Sequence, residues 1–64
     1  MDSSRPVYLR AAEAAAYVGL NSRTLANYRS ARVGPPYRKV GSRVVYRLDD
    51  LIEYVEAGLV EPAV

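Results

Sequence analysis

The sequence predicts a small α+β domain, mostly helical: two short helices joined by a tight turn, a two-stranded hairpin and a third helix. Three observations lead there. Segments with helix-forming composition or helically spaced apolar residues recur at about 11–18, 22–31 and 49–57. Breakers stand at their ends, namely Gly19, the run Val33-Gly34-Pro35-Pro36, and Gly58. Between the second and third segments lie two short runs rich in β-branched and aromatic residues, separated by Gly41-Ser42.

The elements follow in order. Residues 1–6 are polar and end in Pro6, which predicts a flexible arm; the domain proper is expected over 7–58, with 59–64 as a tail. Val7-Tyr8-Leu9 is a short apolar stretch that either pairs as a strand or anchors the first helix. Ala11 to Val18 reads AAEAAAYV, dense in the best helix former and closed by Gly19 at the position where a left-handed residue ends a helix. Its expected apolar face is Leu9, Ala12, Ala15 and Val18, with Leu20 beyond the turn. Asn21 or Ser22 offers the next N-cap, and a helix from Ser22 to Ala31 buries Leu25, Tyr28 and the aliphatic stem of Arg32. Tyr37 to Val40 and Arg43 to Arg47 form the hairpin, whose Gly41 suits a type II′ turn. Val44 and Tyr46 share one face, expected opposite Val40, and Arg43, Val45 and Arg47 share the other. The third helix starts near Asp49, which favours a helix N-terminus, and carries Leu48, Leu51, Ile52 and Val55 as its core stripe. This order is the winged helix-turn-helix plan.

Charge is segregated along the chain. Between Ala14 and Leu48 stand Arg23, Arg29, Arg32, Arg38, Lys39, Arg43 and Arg47 with no acidic residue, although the net charge of the whole is only +2. From Asp49 onward the sign reverses, with Asp50, Glu53, Glu56 and Glu61 and no basic residue. A cationic block that repels itself points to a polyanionic partner, and arginine suits phosphate and guanine better than lysine does.

Other classes recede. Sixty-four residues make one small domain, which buries only roughly 60% of its unfolded surface. With no Cys or His there is no disulfide and no strong soft-metal site, so neither metal nor cofactor is expected. No membrane span or signal peptide is legible, and a cytoplasmic, DNA-associated protein with no membrane or small-molecule partner is expected. Six Tyr invite thought of a nucleophile, but no group is present to activate one, so the protein is read as not an enzyme. Tyr28, Tyr37 and Tyr46 are assigned to core or wing packing, their hydroxyls reaching water or phosphate, and Asp49 and Asp50 to helix capping.

The plan distributes roles when it meets double-stranded DNA. The second helix enters the major groove, presenting Ser22, Arg23, Thr24, Ala26, Asn27 and Ser30. Arg23 can fork onto guanine and Asn27 onto adenine. The hairpin tip, Gly41-Ser42-Arg43, is narrow enough for a minor groove, and Arg29, Arg32, Arg38, Lys39 and Arg47 are the phosphate candidates.

The runs LRAAEAAAYVGLNSRTLANYR and VGPPYRKVGSRVVYRLDDLIEYV carry further signatures. Among them are Glu13-Ala14-Ala15, Tyr17-Val18-Gly19, Arg23-Thr24-Leu25, Gly34-Pro35-Pro36-Tyr37, Gly41-Ser42-Arg43-Val44 and Asp50-Leu51. In order and spacing they resemble the excisionase-like helix-turn-helix proteins, relatives of the DNA-binding half of the MerR family, from Leu9 to about Val55. Asn21 stands where such proteins usually have Ser, and Tyr28 where Trp is frequent. The resemblance implies a bacteriophage or mobile-element protein acting in a bacterial host, a recombination directionality factor. Such a factor binds and bends attachment-site DNA beside an integrase and neighbouring copies of itself. With so few residues after the third helix, a MerR-type dimerisation coil is not expected. Two rivals stand beside this reading: a small phage transcriptional regulator of the same fold, and a protein-interaction adaptor whose basic face meets an acidic protein.

Overall fold

A computed structural model describes residues 5–61. Its elements are β1 (Tyr8–Arg10), α1 (Ala11–Val18), α2 (Ser22–Ala31), β2 (Arg38–Val40), β3 (Arg43–Arg47) and α3 (Leu48–Ala57). The fold is α+β, three helices and a three-stranded antiparallel sheet, a winged helix-turn-helix. Most of the proposed arm and half of the proposed tail, residues 1–4 and 62–64, lie outside the described residues.

The sheet runs β1-β3-β2, so β3 pairs on both sides. The apolar stretch before α1 is therefore a strand, shifted one residue from Val7-Tyr8-Leu9. Val7 lies just outside it, and its carbonyl accepts a hydrogen bond from Leu48 N at 2.8 Å. This bond ties the entry of the sheet to the start of α3. At the hairpin, Val40 pairs with Arg43 around the two-residue loop Gly41-Ser42. Gly41 has φ +63 and Ser42 is not among the positive-φ residues, as a type II′ turn requires.

Register corrects the expected faces. Directly opposed residues in an antiparallel pair point the same way. Lys39 opposes Val44, and Val40 opposes Arg43, so Val40 leaves the Val44–Tyr46 face and is well exposed. Leu9 opposes Tyr46 across β1 and joins Tyr46 and Val44 on the core side. The other face carries Tyr8, Arg10, Arg38, Val40, Arg43, Val45 and Arg47.

The core is small. Ala14, Ala15, Leu25, Tyr46 and Leu51 are fully buried, one or two from each helix and one from the central strand. Leu9, Ala11, Val18, Leu20 and Val44 pack around them. On α1 the buried side is thus Ala11, Ala14, Ala15 and Val18, at i, i+3, i+4 and i+7, and Ala12 faces solvent instead. The expected stripe of α3 holds only in part. Leu51 is buried and Leu48 half-buried, whereas Ile52 and Val55 are exposed: Ile52 stands to the side of Leu51, and Val55, one turn beyond Leu51 on the same face, borders an open cleft with Val18 and Tyr54.

The turn between α1 and α2 is set by its end groups. Gly19 has φ +80; its N–H reaches Ala16 O at 3.2 Å, and Leu20 N reaches Ala15 O at 2.8 Å. These are the paired bonds of a Schellman ending, with Leu20 turned into the core. Asn21 then caps α2, its Oδ1 accepting from Thr24 N at 2.8 Å. At the start of α1, Glu13 Oε1 accepts from Arg10 N at 3.1 Å.

The end of α2 repeats the Schellman pattern with a residue ill suited to it. Arg32 N donates to Arg29 O and Val33 N to Tyr28 O, which places Arg32 at φ +59. Arg32 is exposed and is not part of the helix stripe expected from the sequence. A non-glycine residue in this region costs roughly 1–2 kcal/mol. Next, Gly34 (φ +86) lies against Tyr28, where an added Cβ would stand 2.9 Å from the ring Cδ2. The two positions predict opposite outcomes in thermal unfolding. Arg32→Gly is expected to stabilise by about 0.5–1 kcal/mol, raising Tm by roughly 2–8 °C. Gly34→Ala, strained and obstructed, is expected to destabilise by more than about 1 kcal/mol. A lower Tm for Arg32→Gly would show that the arginine side chain offsets its own backbone strain.

Candidate nucleic-acid interface

Helix α2 presents two chemically different sides. Leu25 points into the core, and the side opposite it carries Arg23, Asn27 and Ser30, all exposed, with Ala26 half-buried at the margin. Ser22 is exposed at the first turn, and Thr24 is half-buried, its backbone N–H held by Asn21. The structure thus gathers Arg23, Asn27 and Ser30 on one open helical surface, stiffened at its start by the Asn21 cap.

Arg29 stands elsewhere. It follows Leu25 by one turn and so lies on the sheet-facing side of α2. Its Nη1 donates to Tyr46 Oη at 3.0 Å, and its Cζ lies 5.9 Å from the centre of the Tyr37 ring. Tyr37 and Tyr46 themselves stack at a tilt, ring centres 6.0 Å apart. The Tyr46 hydroxyl, expected to reach water or phosphate, is instead fully buried and accepts from this arginine. These aromatic partners were missed in the sequence, although the Leu25–Arg29 spacing was a usable signal.

Two open clefts adjoin Arg29. One, of about 300 Å³, is lined by Ala26, Arg29, Ser30, Tyr37 and Lys39. The other, of about 520 Å³, is lined by Arg29, Arg32, the loop from Val33 to Pro36, and Tyr37. Lys39 therefore shares the α2 side of the sheet, as its register opposite Val44 requires.

Arg38 and Arg47 do not join this group. Both project from the opposite face of the sheet, with Arg43 of the tip and Arg10. Arg38 Nη1 is 3.4 Å from Asp50 Oδ2, and its Cζ is 6.0 Å from the centre of the Tyr8 ring. Arg47 Nη2 is 3.7 Å from Asp49 Oδ2, while its Nε is buried without a hydrogen-bond partner among the described residues. Asp49 and Asp50 are thus ion-pair partners within the first turn of α3 rather than caps; the N-cap is Arg47, with no side-chain capping bond. Such exposed pairs contribute about 0–1 kcal/mol each, but they neutralise part of that face. At the hairpin end Gly41, Ser42 and Arg43 are all exposed, and the tip projects freely.

Helix, Schellman turn, capped helix and projecting hairpin are the arrangement that lays one helix along a groove. A helix-turn-helix domain family matches residues 8–58, which is most of the chain. The chain belongs to that family. A search of curated proteins finds no match. The helix-turn-helix protein binds DNA in a sequence-specific manner. Among the described residues no helix is long and apolar enough to cross a membrane, and no group of His, Cys, Asp or Glu is arranged to hold a metal ion.

The two faces of the sheet separate the cations experimentally. Lys39→Ala is expected to weaken DNA binding several-fold, because it removes a charge beside α2. Arg38→Ala, which removes a cation already paired with Asp50 on the far face, is expected to change affinity less than Lys39→Ala does. Fluorescence anisotropy on one duplex ranks the two; the reverse order would place DNA against the other face.

Proposed function

We propose that this protein is a recombination directionality factor, an excisionase that binds attachment-site DNA and bends it so that an integrase assembles for excision. It acts by binding, with no catalytic residue and no cofactor. The observation that carries the reading is the coincidence of an open α2 surface bearing Arg23, Asn27 and Ser30 with a free hairpin tip ending in Arg43. The resemblance of Leu9 to Val55 to excisionase-like proteins supports the finer assignment. Ser22, Arg23, Thr24, Ala26, Asn27 and Ser30 face the major groove, and Arg23 and Asn27 make the bidentate base contacts. Gly41, Ser42 and Arg43 enter the minor groove, where an arginine responds to groove width more than to sequence. Arg29, Arg32 and Lys39 hold phosphates on the α2 side; Arg38 and Arg47 contribute from the far face only if bent DNA wraps the wing.

A domain of this size offers a modest interface, so occupancy of an attachment region calls for neighbouring copies. Glu53 and Glu56 are exposed on α3, and the basic wing lies at the other end of the charge reversal. Head-to-tail attraction between copies follows, a heterologous contact that propagates along DNA.

Footprinting on the attachment region of the source element tests the whole reading, since it reports occupancy, spacing and bending. Addition of the cognate integrase then separates excisionase from regulator: stimulated excision is expected, and altered transcription without excision would favour the regulator. Three further outcomes are expected. The slope of log K against log salt should be roughly −4 to −5, and a slope near zero would remove the phosphate contacts. Arg23→Ala and Asn27→Ala should each reduce discrimination against random DNA by about 1–3 kcal/mol, whereas Arg43→Ala should lower affinity with little change in preference. On tandem sites the Glu53→Lys, Glu56→Lys variant should lose cooperativity; unchanged cooperativity would assign the contact between copies to another surface.

A further inference from the structure

We infer that Tyr46 is a positioning residue for DNA binding: its buried hydroxyl, with the Tyr37 ring, fixes the Arg29 guanidinium as a preformed clamp for one backbone phosphodiester. The inference rests on the DNA-binding reading and adds to it a residue that cannot itself touch DNA. Tyr46 is wholly buried, and its Oη lies 3.0 Å from Arg29 Nη1. The hydroxyl occupies one of the five N–H donors of the guanidinium. The Tyr37 ring, 5.9 Å from Cζ, limits the plane the fork can adopt. The remaining donors stand between the Ala26–Ser30–Lys39 cleft and the Arg32–Gly34 cleft. Lys39 and Arg32 thus flank Arg29 on either side, which makes the spot attractive to an anion and repulsive to a further cation.

The chemistry of a phosphodiester fits this arrangement. Its two non-bridging oxygens accept a planar fork, which a lysine point charge cannot reproduce. An arginine free in solvent loses rotamer freedom when it grips a phosphate. One already held by a phenol and a ring has lost much of that freedom on folding, and the difference is worth about two- to tenfold in affinity. Because Tyr46 belongs to β3 and Arg29 to α2, the same bond fixes the wing relative to the reading helix.

Anisotropy with a fluorescein-labelled random-sequence duplex isolates the phosphate contribution. Tyr46→Phe keeps the buried ring and leaves no orphaned acceptor, so thermal stability should stay near that of the wild type. Its affinity should fall about two- to tenfold. Arg29→Ala should weaken binding and make the salt slope shallower by about 0.9. The double variant should bind no more weakly than Arg29→Ala alone. Arg29→Lys, which leaves the core untouched, should bind close to Arg29→Ala despite its retained charge. Losses that multiply in the double variant, undiminished binding by Tyr46→Phe, or wild-type affinity for Arg29→Lys would each overturn the clamp. If the wild type itself shows no salt-dependent binding to any duplex, the DNA-binding reading falls and the clamp with it. Wild-type binding with any of the three contrary variant results removes the clamp alone.

Discussion

Tyr46 sits where every layer of this domain meets. It lies on β3, the strand paired on both sides, and is wholly buried in one cluster with Leu25 of α2 and Leu51 of α3. With so few fully buried side chains, each must serve more than one contact. Burying a Leu contributes about 1.5–3 kcal/mol, against a total stability of about 0.05–0.15 kcal/mol per residue. Losing either Leu25 or Leu51 therefore removes a large share of what holds the helices to the wing. The hydroxyl of Tyr46 adds a polar partner to that apolar centre, and Arg29 satisfies it without opening the core.

The economy of the core shapes the surface. Alanines at 14 and 15 let α1 approach its neighbours closely, so the buried side needs little volume. In exchange, α3 is left with Ile52, Tyr54 and Val55 in contact with solvent. The reading surface needs the reverse treatment, since Arg23, Asn27 and Ser30 act only while they stay free of the core. The Asn21 cap and the Schellman ending at Gly19 hold that surface at a defined angle by backbone bonds, leaving its side chains uncommitted.

The electrostatics divide in the same way. Cations on the α2 side, among them Arg23, Arg32 and Lys39, have no acidic partner among the described residues, whereas Arg38 and Arg47 on the far face meet Asp50 and Asp49. An unneutralised face beside a reading helix concentrates phosphate by its field. A face carrying its own counter-ions anchors the first turn of α3 instead. One continuous block of positive charge in the sequence is thus two surfaces of different character in the fold.

The order of the three helices and the hairpin, and the plan they form, could be read from the chain alone, whereas the pairing of β1 as a third strand could not. Helical spacing, Gly19, Asn21, the Pro35-Pro36 stop and the Gly41-Ser42 loop are local signals, and local backbone preferences settle them. The exposed residues of α2 were legible for the same reason, because a helix repeats its faces without reference to anything distant. Tertiary structure decided which side of each element is buried. Ala14 rather than Ala12 faces the core, and Arg29 turns toward Tyr46. It also decided the sheet faces, because the register of β2 on β3 puts Lys39 opposite Val44 and turns Arg38 and Arg47 away. In a strand a shift of one residue exchanges the faces, and in an alanine-rich helix every side looks equally apolar. Neither choice is made until a partner element is present to cover one side.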